Sequence, residues 1–148
     1  MKKSCLSLKE IMTSYDNIKF GEVYSVLFEP NNMHKISGWH PCIVISNNVG
    51  NKFSPNVHII PVTTKNKRLP THVKLTVEDG FKSDCYAQCE SSFPISQELL
   101  KYRLFTLPEE KMIEIGKAFA ISTPFVALMD CEDLMCIAST AKNYIKYG

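Results

Sequence analysis

Arginine is scarce in this chain. Of 17 basic side chains only Arg68 and Arg103 carry guanidinium groups, and the other fifteen are lysines. Planar, bidentate recognition of phosphate or guanine therefore has little to draw on, and any nucleic-acid site must use other donors. Net charge is also small, +2 with 15 acidic residues, so bulk positive charge does not by itself announce a nucleic-acid partner. No stretch approaches the roughly 20 apolar residues needed to cross a bilayer. Lys9 and Glu10 interrupt the N-terminal run before an apolar segment of signal-peptide length can form. These absences predict a cytoplasmic protein with no membrane partner. Six glycines and eight prolines are too few for collagen, and 45% apolar with 22% charged residues is an ordinary globular composition.

At 148 residues, one domain is expected, and a domain of that size buries roughly 70% of its unfolded surface without needing covalent staples. Cys5, Cys42, Cys85, Cys89, Cys131 and Cys136 are expected, in a reducing compartment, to be mostly free thiols that behave as small buried hydrophobes. A metal set built on Cys85, Cys89, His58 and His72 is disfavoured. Two cysteines four apart on a strand share a face but lie about 13 Å apart, whereas zinc sites usually begin with a tight Cys-x-x-Cys knuckle. No cofactor is expected.

Ser7 and Glu10 have the form of a capping box before Leu8, Ile11 and Met12 on one helical face, which predicts a short helix near 8–15. Strands follow. Val23–Phe28, Cys42–Ile45 and Val57–Val62 are β-branched and aromatic runs bounded by Asn, Gly and Pro clusters. His72–Val77 alternates and Cys85–Cys89 adds another candidate, with Asp79-Gly80 between them as a hairpin signal. Ser96–Leu100 reads as one helical turn. Thr106-Leu107-Pro108-Glu109 opens a longer helix through a capping box and an early proline, with Met112, Ile115 and Phe119 as its apolar stripe. Residues 123–146 read as a helix docked on the domain, with a break. The class is mainly β with helices (α+β): an N-terminal helical segment at 1–18, a barrel or meander domain at 19–122, and a C-terminal helical extension at 123–148 packed on it.

Two segments combine groups suited to a phosphodiester. Pro30–Pro41 is a polar loop holding His34, His40 and the only tryptophan, Trp39. Paired imidazoles can serve as acid and base, and an indole can stack on a nucleobase. Thr63-Thr64-Lys65-Asn66-Lys67-Arg68 places two hydroxyls beside three cations at a strand end, a combination that positions phosphate oxygens. Taken singly, each also reads as an ordinary solvated loop.

Read in order, Gly21–Pro30, Gly38-Trp39-His40-Pro41-Cys42 through Asn47, Asn51-Lys52-Phe53-Ser54-Pro55 with Val57–Thr63, Leu69-Pro70-Thr71-His72-Val73, and Leu104 to Met112 resemble the MazF/PemK toxins of type II toxin–antitoxin modules over roughly residues 19–122. The resemblance implies a small SH3-like β-barrel that forms a homodimer and cleaves single-stranded RNA without metal. It also implies silencing by an antitoxin protein, with operator DNA bound only in complex with that antitoxin. The substrate's 2′-hydroxyl would be the nucleophile, leaving the protein to move protons and stabilise charge. His34, Thr63 and Glu90 stand at the family's histidine, threonine and acidic positions. His40 replaces the arginine that precedes proline, and Gln88 stands at a basic position. The expected catalytic set is therefore His34, His40, Thr63 and Glu90, with Trp39, Thr64, Lys65, Lys67, Arg68 and Gln88 holding RNA. His40, once protonated, would donate to the leaving 5′-oxygen while Glu90 or His34 takes the 2′ proton. Two alternatives are a catalytically weakened binding protein that holds an antitoxin or operator complex, and a CcdB-like inhibitor of DNA gyrase on the same fold.

Overall fold

A computed structural model describes residues 18–30 and 36–146. The proposed helix at 8–15, Cys5 and His34 lie outside these residues. Seven strands form one curled antiparallel sheet: β1 (Glu22–Phe28), β2 (Gly38–Val44), β3 (Asn56–Thr63), β4 (His72–Leu75), β5 (Cys85–Gln88), β6 (Phe93–Ser96) and β7 (Tyr102–Thr106). Helix α1 (Asn48–Phe53) links β2 to β3, α2 (Glu109–Ser122) follows β7, and α3 (Cys131–Lys146) ends the described chain. The lateral order is β4-β5-β3-β2-β1-β7, and β6 also pairs with β3.

β3 explains the curl. One edge lies along β2, with Cys42 opposite Pro61 and Val44 opposite Ile59. The other edge is shared in series. Asn56–Ile59 pair with β6, and Val62–Thr63 pair with β5. Buried Pro61 falls between these two partners, where a strand residue without an N–H costs the ladder least. Changing partner midway turns the second half of the sheet away from the first.

Alternation along the strands feeds two cores. Val23, Ile43, Ile60, Leu75 and Ala87 pack with Met112 and Ile115 of α2. Their strand neighbours Tyr24, Cys42, Val44, Val57 and Ile59 pack on the other side with Val26, Ile95 and Leu100, as a period of two requires. Glu22 is buried at the start of β1, where one carboxylate oxygen accepts from Arg103 Nη1 at 2.8 Å and the other from the Tyr24 hydroxyl at 3.2 Å. That ion pair ties β1 to β7 at its edge.

Several expectations need correction. β2 starts at Gly38 rather than Cys42, because Trp39 and His40 pair with Leu27 and Val26, which shortens the polar loop. Asp79-Gly80 does not close a two-residue hairpin. Val77–Asp79 form a short 3-10 turn inside a nine-residue connection. α2 is capped by Pro108 without a side-chain hydrogen bond, so Thr106 and Glu109 make no capping box. The break before the last helix is real, a 3-10 segment at Pro124–Leu128. No residue of α3 is buried, although its C-terminal end touches α1, where Asn48 Nδ2 donates to the Ile145 carbonyl at 2.6 Å. Cys42, Cys85 and Cys89 are buried free thiols, pushed up to about 12, 11 and 12 by burial. Cys131 and Cys136 are free but exposed.

Gly80 has φ +114°, and a Cβ there would lie 2.8 Å from the Phe105 ring, which itself meets Phe81 edge-on at 4.9 Å. Gly80→Ala is expected to cost about 1–3 kcal/mol from backbone strain alone, measured as a lowered urea midpoint. An unchanged midpoint would show that this turn is free to relax.

Candidate functional site

The concave side of the sheet holds a cleft of about 1150 Å³ where the end of β3, the start of β2, the β4–β5 connection and β7 meet. His40, Thr63, Thr64, Lys65, Lys67 and Gln88 line it together. Sequence reasoning had missed Lys82 and Ser83 from the β4–β5 connection, Ser37 and Ser91, and the apolar Phe93 and Phe105. Among the described residues, the lining contains three lysines and no carboxylate. A cleft lined by cations and several hydroxyls concentrates anions.

Thr63 sits at the end of β3, opposite Tyr86 of β5. Its Oγ1 accepts from the Lys65 amide at 3.2 Å, which leaves the hydroxyl proton available to an incoming oxygen. This turn also starts the loop that carries Lys65 and Lys67 into the cleft. In His40, Nε2 lies 2.8 Å from the Ser37 carbonyl. A carbonyl only accepts, so Nε2 carries the proton and neutral His40 keeps Nδ1 as an acceptor. The Phe28 ring stands tilted at 6.2 Å from the imidazole and backs it.

Three expected residues are not part of the lining. Trp39 adjoins His40 on β2, and successive strand residues face opposite sides. Its indole packs 5.7 Å from the Tyr102 ring and stays more than half exposed. Arg68 holds a left-handed backbone (φ +53°) in a turn where its amide donates to Asn66 Oδ1 at 2.9 Å. Glu90 follows Gln88 by two, and a continued strand would have kept both on one side. Cys89–Ser91 instead form a 3-10 turn, and the Glu90 carboxylate accepts from His72 Nε2 at 2.6 Å.

The His72 side chain is only 2% exposed, and its Nδ1 is buried without a partner. Burial opposes ionisation of Glu90, but its backbone amide and the hydrogen bonds from His72 and Thr71 outweigh this and hold its carboxyl below the ordinary value. His58, on β3, is edge-on to Phe119 with Nε2 buried and unpartnered, and burial lowers its pKa. No group of three or more His, Cys, Asp or Glu among the described residues is placed to hold a metal ion.

A carboxyl whose folded pKa is depressed stabilises the fold above its unfolded value, and the benefit fades as pH falls through the folded one. The stability gap between wild type and Glu90→Gln is therefore expected to be full well above pH 4.5, the ordinary value, and to close below it. His72→Ala should cost about 1–3 kcal/mol at neutral pH through the lost buried hydrogen bond. Thermal melts of both variants across pH check this, and a gap that widened in acid would contradict it.

Comparison with known proteins identifies the family. Residues 19–123 match the family model described as PemK-like, MazF-like toxin of type II toxin-antitoxin system. The chain is 31% identical over 116 residues to endoribonuclease EndoA of Bacillus subtilis (strain 168), covering 76% of this chain and 97% of that protein. It is 32% identical over 108 residues to endoribonuclease MazF of Staphylococcus epidermidis, covering 71% and 90%. The same fold occurs in an endoribonuclease in complex with its cognate antitoxin from Mycobacterial species, with a TM-score of 0.64, 21% identity, and 73% and 96% of the two chains covered. This chain belongs to the PemK-like, MazF-like toxins of type II toxin–antitoxin systems.

Proposed function

We propose that this protein is an endoribonuclease toxin that cleaves single-stranded RNA in the β2–β3 cleft by attack of the substrate's own 2′-hydroxyl. The supporting observation is the joint presence of His40, Thr63 and three lysines, with no carboxylate among the described residues of the lining. An RNA backbone phosphate meets cations and hydroxyls there, and its bases meet the Phe93 and Phe105 rings. Base–aromatic stacking tolerates any sequence and needs no arginine fork.

The proton-transfer scheme differs from the one read from sequence. With Glu90 directed to His72, His40 is the imidazole that lines the cleft among the described residues. Its neutral form offers Nδ1 to take the 2′ proton, and the protonated ring then returns a proton to the departing 5′-oxygen. The Thr63 hydroxyl, Lys65 and Lys82 stabilise the negative charge that builds on the phosphorane oxygens. DNA lacks the attacking group, so it would bind without being cut.

The partners follow from the same reading. A cognate antitoxin would occupy this surface, the toxin would act as a homodimer, and operator DNA would be engaged only through the antitoxin. Cytoplasm is the corresponding compartment, and no described helix is long and apolar enough to cross a membrane. The two alternatives, a weakened binding protein and a gyrase inhibitor, gain no observation from the cleft or from the relatives, both of which are named endoribonucleases.

Purified protein incubated with a long single-stranded RNA in excess chelator is expected to yield discrete fragments ending in cyclic phosphate, and to leave the matching DNA whole. His40→Ala should slow cleavage by about 10²–10⁴-fold, and Thr63→Val by about 10²–10³-fold. Intact RNA, or full activity in both variants, would overturn the proposal.

A further inference from the structure

The His72–Glu90 pair takes no part in the proton transfers assigned to His40. His72 Nε2 donates to Glu90 Oε1 at 2.6 Å, and neither residue is among those that line the cleft. Nor does the pair form a relay. A shuttling imidazole takes a proton at one nitrogen and passes it on from the other, and His72 Nδ1 is buried without a partner, so the path stops at the ring. The place of the pair in the fold gives it a different task. Cys89–Ser91 form the 3-10 turn that carries the chain from β5 to β6, with Glu90 at its middle. The residues on either side of Glu90 in this stretch, Gln88 and Ser91, line the cleft, as does Phe93 at the start of β6.

His72 meets this turn twice. It stands opposite Gln88 in the β4–β5 ladder, a position that sets Cβ atoms about 4.5–5.5 Å apart, and its ring holds Glu90. The Cys89 amide donates to the Thr71 carbonyl at 3.1 Å, and the Cys89 carbonyl accepts from the Ser122 hydroxyl at 3.4 Å. Those two bonds fasten the first residue of the turn to the end of the β3–β4 loop and to α2, and the His72 bond fastens the second. We propose that His72 is a positioning residue for the cleft: by holding Glu90 it fixes the β5–β6 turn so that Gln88 and Ser91 present their side chains to the RNA backbone. This rests on the cleft being the RNA site. Gln88 both donates and accepts, and Ser91 adds a hydroxyl. Hydrogen bonds from such neutral groups weaken steeply when misaligned, whereas the attraction of a lysine acts over distance. Support behind them therefore acts on binding. Gln88 and Ser91 have no part in the proton transfers, so losing that support weakens RNA binding and spares the chemical step.

The test is steady-state cleavage of a long single-stranded RNA by the full chain, run well below the melting temperature of each variant. His72→Ala is expected to raise KM about three- to tenfold with kcat unchanged. His72→Gln, whose amide still donates to Glu90, should bring KM back toward wild type. In the Gln88→Ala/Ser91→Ala background, His72→Ala should change KM by less than about twofold, because the residues it acts through are gone. In the free protein, the NMR order parameter of the Gln88 side-chain amide should fall in His72→Ala and recover in His72→Gln. A lower kcat at unchanged KM, the result of a merely structural loss, would overturn the proposal. So would an equal KM effect of His72→Ala in both backgrounds. RNA left intact by the wild-type chain would count against the nuclease reading instead, and an undiminished Gln88 order parameter in His72→Ala would then overturn the positioning role by itself.

Discussion

The divided pairing of β3 is the constraint on which the rest of the architecture depends. A strand that kept one neighbour along its whole length would extend a flat sheet. Here β6 takes the first half of one edge and β5 the second, with β2 on the opposite edge at Ile59–Pro61. The change of partner lies at buried Pro61, and the last residue of the strand is Thr63. The hydroxyl attributed to catalysis is thus delivered by the bend that makes the sheet concave. Fully buried Ile59 and Ile60 feed the two cores from adjacent positions, so the bend is held from both faces by apolar burial.

Electrostatics then sorts the charged groups by location. The cleft wall carries cations and hydroxyls, while the carboxylates are engaged elsewhere: Glu22 with Arg103, Glu90 with His72, Asp79 with Lys111 at 3.7 Å. A carboxylate pointing into the cleft would cancel part of the local potential that draws a polyanion. With only two arginines in the chain and Arg103 tied to Glu22, the protein relies on lysines and neutral donors. That arrangement favours a loosely specified single strand over a base-edge reader.

Much of the fold was legible because period-two runs with two buried faces have few alternatives. β1, β3 and the turn at Gln97–Leu99 emerge nearly at their observed bounds. Expected residues adjacent in sequence came together more simply, since Thr63, Thr64, Lys65 and Lys67 line the cleft as one segment. Other features needed three dimensions. The alternation that brings His40 inward sends Trp39 outward, and the strand start at Gly38 that fixes this was hidden inside a polar stretch. Glu90 turns away because a 3-10 turn follows β5. Lys82 reaches the cleft through a connection that carries only a turn signal. Burial of α3 was expected from its apolar residues, but an apolar stripe does not name what covers it.

The central claim is that one concave surface, and not the Trp39 side of β2, receives the RNA backbone. Methyl and amide NMR of the full chain, titrated with an RNA made uncleavable by a 2′-deoxy substitution at the scissile position, tests it most directly. Shifts concentrated on Thr63, Thr64, Lys65, Lys82 and the Ser37–His40 turn, with Trp39, Tyr102 and Glu90 undisturbed, are the predicted outcome. Shifts centred on Trp39 and Tyr102 with a silent Thr63 would contradict it.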